Sequence, residues 1–269
     1  GPDEKMQVWK GSRNMKPLEI KHRVIGGGEP LICVPVVEQD AQSVIREITY
    51  LSQSTADMIE WRVDAFRDFT DYNAIRSVFE AVAPLLGEKL FLYTFRTAHQ
   101  GGMAQVKAEQ LDDLHDLAAE SGCVDLVDLE FFEEDRPLHK IKRLREMGVS
   151  VIASHHDFEQ TPSPEVMKML LEKMCAGGAD IVKLAVMPQN YKDVLNLLDV
   201  TAQFREENPD TPVITMSMGS LGGISRISGE TFGSCVTFGA HEKPSAPGQF
   251  AMKELRQMLD TIHASSQIQ

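Results

Sequence analysis

Hydrophobic residues along this chain fall into short, dense runs separated by longer stretches in which apolar and polar positions interleave. The runs are Leu31–Val37, Asp57–Val63, Lys89–Phe95, Val124–Glu130, Val149–Ser154, Asp180–Ala185, Pro212–Met218 and Cys235–Gly239. Between them lie amphipathic segments such as Asp40–Gln53, Asp71–Leu86, Gln105–Ser121 and Pro164–Ala176, with Pro247–His263 after the last run. Strands alternating with helices imply parallel βαβ units, because parallel strands need a long crossover. An open doubly wound sheet would place a Gly-rich phosphate loop after its first strand. Here that strand ends in Pro35-Val36-Val37-Glu38, so the pattern predicts a (β/α)₈ TIM barrel. The segment Leu18–Glu29 predicts a β-hairpin closing the barrel floor, and Gly26-Gly27-Gly28 then lacks the strand–helix setting of a nucleotide loop. Residues 17–269 form one predicted catalytic domain. Residues 1–16 are set apart as a polar tail, with Gly1 and Pro2 as a tag remnant.

Active sites of such barrels lie at the C-terminal ends of the strands, and residues two apart in a strand share a face. Glu60, Arg62 and Asp64 therefore stand together, opposite Trp61 and Val63. Thr94 pairs with Arg96, Asp128 with Glu130, Ser154 with His156, and Met216 with Met218. Lys183 lies in line with Ile181 and Ala185. Outward faces, covered by helices, must be apolar, and Phe95, Val127, Leu129, Val182 and Leu184 supply them. The polar set then faces the barrel axis. Burying so many ionisable groups is costly unless they pair or serve a site.

Lys183 sits in the apolar stretch Ala179–Met187. Desolvation there disfavours the ammonium and makes the amine a nucleophile toward carbonyls. Taken alone, the lysine fits equally well a chain that snorkels to a strand end. A neighbouring histidine favours chemistry, since imidazole can take a proton beside an imine and return it. His155 and His156 both qualify; alternation from Ile152 and Ser154 favours His156, with Asp128 or Glu130 to orient it. Neither has a partner at metal-ligand spacing.

Composition narrows the choice further. The 269 residues are 42% hydrophobic, enough for one large core. Lys and Arg number 27 against 40 Asp and Glu, a net charge of −13 with no basic cluster, which argues against a nucleic-acid partner. No apolar run reaches the ~20 residues that span a bilayer, so no membrane partner is expected. Cys33, Cys123, Cys175 and Cys235 are widely spaced, which suits reduced thiols in a cytoplasmic protein. The Gly- and Ser-rich stretch from Met216 to Gln249 holds Arg226, able to clamp a carboxylate with both arms, although a phosphate site after strands seven and eight competes. Lys243–Gln249 reads as a mobile lid leading into the last helix, although taken in isolation it fits an ordinary surface loop better.

Six blocks together resemble the type I 3-dehydroquinate dehydratases of the shikimate pathway. They are Glu60-Trp61-Arg62-Val63-Asp64, Thr94-Phe95-Arg96-Thr97, Ser154-His155-His156-Asp157-Phe158, Ala179–Pro188, Met216–Arg226 and Ser245–Gln249. The resemblance runs from about Leu31 to Gln249 and implies a hydro-lyase that turns 3-dehydroquinate into 3-dehydroshikimate and water. It implies a Schiff base on Lys183, proton transfer by His156 and support of that histidine by Asp128. Arg226, Ser245 and Gln249 would bind the substrate carboxylate, and Glu60, Arg62 and Arg96 the ring hydroxyls. Gln100, Met216 and Phe238 join the implied substrate contacts. The resemblance calls for no cofactor or metal, and implies a homodimer. One departure stands out. The family carries an acidic residue before the Gly-Gly pair, whereas Gln100 precedes Gly101-Gly102 here. Glutamine accepts a hydrogen bond but cannot stabilise an imidazolium by charge, so a lower His156 pKa or slower turnover is expected.

Other readings are another class I Schiff-base aldolase, a non-catalytic quinate-pathway sensor and a purely structural barrel. Aldolases of that kind commonly take phosphorylated substrates, sensors are expected to lose Lys183 or His156, and a structural barrel has no use for the buried polar set.

Overall fold

The structure, a computed structural model, describes residues 18–267, so the expectation for residues 1–16 falls outside the described residues. Eight parallel strands form the core: β3 (Leu31–Val36), β4 (Met58–Arg62), β5 (Leu90–Thr94), β6 (Leu126–Glu130), β7 (Ser150–Asp157), β8 (Ile181–Val186), β9 (Val213–Ser217) and β10 (Val236–Ala240). They pair in chain order, and β10 returns to β3, opposing Val236 to Leu31. The ring closes between β9 and β10 through a bridge from Val213 to Ser234 and the bond from Cys235 N–H to Val213 O at 2.9 Å. Ser234 Oγ adds an acceptor for Thr215 N–H at 3.0 Å. This is the (β/α)₈ barrel expected from the alternation.

A helix follows each strand: α1 (Ala41–Ser52), α2 (Tyr72–Val82), α3 (Ala108–Glu120), α4 (Pro137–Glu146), α5 (Pro164–Ala176), α6 (Tyr191–Glu207), the single-turn α7 (Gly229–Phe232) and α8 (Met252–Ser266). Local chemistry sets their starts. Asp40, Asp71, Ser163 and Asn190 each accept a backbone N–H of the first turn, satisfying a donor that the helix itself cannot. Each helix lays an apolar stripe on the sheet; in α1 it is Val44, Ile48 and Leu51. The segment read as one helix to Leu86 ends at Val82 and tightens into a 3-10 turn at Ala83–Leu85, where Pro84 lacks the amide an α-helix would use. The last helix starts at Met252 rather than Pro247. Pro247 O accepts from Gly219 N–H and Arg226, and Gly248 takes φ +83° where a Cβ would lie 2.4 Å from Gly219 O, so 247–251 cannot wind. Phe250 and Ala251 form β11 (Phe250–Ala251), a short parallel addition to β10.

Two apolar masses result from the strand alternation. The outer one lies between sheet and helices and holds Trp61, Val63, Phe95, Val127, Leu129, Val182 and Leu184. The inner one fills the lower barrel with Cys33, Met58, Leu90, Leu126, Ile152, Ile181 and Ile214. The hairpin of β1 (Leu18–Ile20) and β2 (Arg23–Ile25) lies beneath it, with Ile25 buried in this cluster and Leu18 and Ile20 against it. Its turn residues Lys21 and His22 take φ of 50° and 65°, as a two-residue hairpin demands. Lys21 bonds Lys89 O and Asp125, and Arg23 bonds Glu88 O and Asp57, all at the entrances of strands β4–β6. Moving up the barrel axis, the interior changes from aliphatic to charged.

Trp61 is fully buried and meets Phe66, Phe79 and Tyr93 edge-on, with centroids 5.5, 5.3 and 6.5 Å away. Trp61→Ala is expected to destabilise by about 3–5 kcal/mol, read as a lower urea midpoint at unchanged slope. Trp61→Phe should lose much less, because the indole N–H is buried without a partner and its removal relieves that penalty.

Candidate active site

The upper barrel opens into a cleft of about 420 Å³, mouth included. Lys183 from β8, His156 from β7, Glu60 and Arg62 from β4, Arg96 beyond β5, Met216 from β9 and Phe238 from β10 line it. Arg226, on the 3-10 turn Gly223–Arg226, and Ser245 and Gln249 from the strap after β10 complete it. Ten of the twelve candidates read from the sequence therefore meet in one pocket. Asp128 and Gln100 stand behind its wall.

Arg96 is pinned from the rear. One guanidinium nitrogen reaches Asp128 and Glu130 at 2.9 Å and Ser154 Oγ at 3.1 Å, leaving the other nitrogens free of these contacts. Burial opposes its charge, but the Asp128 and Glu130 carboxylates outweigh it and hold Arg96 protonated. Asp128 was expected to support His156. Instead its Oδ1 takes Arg96 and Ser154, and Oδ2 has no hydrogen-bond partner. Burial would raise the Asp128 pKa; Arg96 and Lys183 overcome this and keep the carboxylate charged. Asp64 accepts both arms of Arg62 at 2.8 Å, and also the backbone N–H groups of Arg96 and Met103. Thr94 donates to Glu60 at 2.8 Å.

Lys183 is 5% exposed, and its ammonium lies 4.1 Å over the Phe238 ring. Burial, helped by Arg96, lowers its pKa from the ordinary lysine value against the pull of Glu60 and Asp128. Desolvation together with neighbouring charge is the usual means of preparing an amine to attack a carbonyl. His156 is buried too, and burial, Arg96 and Lys183 all push its pKa well below the ordinary imidazole value. Its Nδ1 has no partner. A neutral ring beside a neutral-leaning amine suits proton abstraction next to an imine. His155 turns outward, edge-on to Phe132 at 5.3 Å, which settles the alternation in favour of His156 as the pocket residue.

Arg226 is fully buried with no carboxylate against it among the described residues, and burial alone pushes its pKa down to about 10. Its Nη2 donates to Pro247 O at 2.9 Å, which draws the strap across the cleft, while Nε has no partner. Gln249 closes the strap by accepting from Ser245 N–H and donating to Ser245 Oγ. Such a guanidinium is arranged to take an anionic group from within the cleft.

Gln100 lies away from the cleft. Its Oε1 accepts the backbone N–H of His156 at 2.7 Å, and its Nε2 donates to Glu133 at 3.0 Å. No carboxylate bonds the His156 ring among the described residues, in line with the depressed pKa. Sequence reasoning passed over Phe158, which stacks on His156 at 6.3 Å and 14°, and Gly101. Phe158 lies two residues past His156 on the same strand line, a signal that was available. Gly101 takes φ +86°, and a Cβ there would lie 2.2 Å from the Phe158 ring, a contact that no local pattern reveals.

Away from the cleft, Asp112, His115 and Glu134 place potential ligand atoms within 4.8 Å of one another. Lys140 already bonds Glu134 and Asp135 and lies 3.4 Å from Asp112, so its ammonium balances these carboxylates in place of a metal. The cluster reads as an ion-pair network between α3 and α4.

Comparison with known proteins agrees with this geometry. The family profile "Type I 3-dehydroquinase" matches residues 32–266. A 3-dehydroquinate dehydratase of Syntrophotalea carbinolica is 41% identical over 250 residues, 93% of this chain and 99% of the relative. One from Listeria monocytogenes is 42% identical over the same shares. The type I 3-dehydroquinate dehydratase of Clostridium difficile, solved with covalently modified comenic acid, superposes with TM-score 0.89 at 38% identity, covering 93% of this chain and 99% of that one. The Geobacillus kaustophilus 3-dehydroquinate dehydratase gives TM-score 0.89 at 35% identity, with 93% and 97% covered.

Proposed function

The chain belongs to the type I 3-dehydroquinase family of hydro-lyases, and on that premise we propose that it converts 3-dehydroquinate to 3-dehydroshikimate and water through a Schiff base on Lys183. The observation that carries the reading is the pairing, in one cleft, of a desolvated lysine and a neutral histidine with an arginine that has no carboxylate against it among the described residues.

The Lys183 amine attacks the ring ketone, and the resulting carbinolamine loses water to give a protonated imine. That cation acidifies the adjacent carbon, from which His156 takes a proton. The electron pair left behind expels the neighbouring hydroxyl, which leaves as water with the proton His156 returns. Water then hydrolyses the imine and frees the amine. The water lost in imine formation is recovered in hydrolysis, so one molecule of water leaves per turnover. Arg226 binds the substrate carboxylate with help from Ser245 and Gln249. Glu60, Arg62 and Arg96 hold the ring hydroxyls, and Met216 and Phe238 pack on the ring. Asp128 acts through Arg96 and the field at Lys183 rather than on the histidine. The same family reading carries a cytoplasmic homodimer, which solution mass and cell fractionation would test.

Incubation with 3-dehydroquinate followed by borohydride reduction and peptide mapping is the direct test. A ring adduct is expected on Lys183. Folded protein that turns over substrate yet shows no adduct on Lys183 would refute the Schiff base. The sensor reading predicts binding without turnover, and retention of both Lys183 and His156 in the cleft speaks against it.

A further inference from the structure

We propose that Glu133, a residue outside the cleft, positions His156 by fixing which way the Gln100 side-chain amide points. The ladder between β6 and β7 ends where Phe131 N–H bonds Ser154 O at 3.2 Å. Side alternation makes the His156 N–H the next donor on that edge of β7, and β6 has ended at Glu130. A buried amide without an acceptor costs about 1–3 kcal/mol. Gln100 Oε1 stands in for the missing strand carbonyl at 2.7 Å, so the backbone that carries the imidazole hangs on a side chain.

A glutamine amide has two ends of nearly equal shape, one accepting and one donating, so something must choose between its two orientations. Glu133 Oε1 lies 3.0 Å from Gln100 Nε2. A carboxylate only accepts, so it selects the orientation that turns the NH₂ outward and the carbonyl oxygen toward His156. Glu133 is itself held by its N–H bond to Glu130 O at 3.1 Å, and its second oxygen lies 3.5 Å from His99 Nδ1. The His156 ring has no hydrogen bond on Nδ1, so its aim depends on this backbone anchor and on the stack with Phe158. Glu133 is thus a positioning residue that acts through Gln100.

The inference rests on His156 as the proton-transfer group, and the variants separate the two ideas. Glu133 is about one-third exposed, so substitutions there should leave the fold intact, which melting curves verify. Glu133→Gln can still offer an oxygen and should keep nearly the parent kcat. Glu133→Ala leaves the His156 N–H alone to hold the amide's orientation, so the anchor loosens, and should lower kcat about ten-fold with KM changed less than about two-fold, because misplacement affects the proton transfer more than binding. Glu133→Lys, a donor only, should invert the amide, set NH₂ against the His156 N–H and lower kcat further. Parent-like kcat in the alanine and lysine variants, or a loss in Glu133→Gln as large as in Glu133→Ala, would overturn the proposal. Undiminished turnover in His156→Ala would instead refute the role given to His156.

Discussion

Lys183→Met is expected to lower kcat by about 10⁴-fold or more while leaving the barrel at least as stable as the parent. The loss follows from the chemistry. Without an amine there is no imine, and no other side chain lining the cleft can form one with a ketone. The gain follows from burial. Lys183 is 5% exposed, has no ion-pair or hydrogen-bond partner among the described residues, and its pKa is lowered, so the folded state disfavours its charge. Glu60 and Asp128 pull the other way, but burial and Arg96 outweigh them. Methionine fills similar volume over Phe238 without that penalty. Steady-state rates, borohydride trapping and a melting curve on one sample read all three expectations. Turnover within about ten-fold of the parent would mean that the nucleophile lies elsewhere.

His156→Ala should cost about 10²- to 10⁴-fold in kcat, the range for losing a general acid–base group. Lys183 survives in this variant, so the imine should accumulate, and borohydride should trap more adduct at steady state than in the parent. The parent's pH profile follows from the same residue. Because burial, Arg96 and Lys183 hold the His156 pKa well below about 6.5, the base stays neutral as pH falls through that value. The kcat/KM of the parent should therefore show no acid limb there. Stability carries the opposite signature. Below about 6.5 an unfolded imidazole takes up a proton that the folded one refuses, so His156 contributes stability above that pH and the contribution is lost as pH falls further. An acid limb centred near 6.5 would show that substrate binding or solvent entry cancels the desolvation.

Much of this was legible in the sequence because strand alternation is a local property. Trp61 and Val63 face the helices while Glu60 and Arg62 face the axis, simply because neighbours in a strand point to opposite sides. The same rule separated His156 from His155. Pairings across strands were harder to read, since they depend on how far each strand stands above the next. Asp128 was within reach of His156 on paper, yet the stagger of β6 against β5 sets it on Arg96. Gln100, which the resemblance places among the substrate contacts, serves backbone instead, because the end of the β6–β7 ladder is a three-dimensional fact. Pro247 suits a helix start by sequence, but its carbonyl is taken by Gly219 and Arg226.

The change from aliphatic to charged along the barrel axis also bears on how such a protein can evolve. Below, Met58, Leu90, Leu126, Ile152 and Ile181 interlock over the hairpin, and only swaps that keep volume will be tolerated. Above, cleft residues outside the buried ion pairs, such as Met216, Phe238, Ser245 and Gln249, can be exchanged at little risk to the fold. Arg62, Asp64, Arg96, Asp128 and Glu130 cannot, because removing one partner strands a buried charge. Heritable variation at the mouth can explore new substrates while the floor keeps the chain folded. A mutational library confined to cleft residues outside those ion pairs should yield far more folded members than one of equal size drawn from the lower layer.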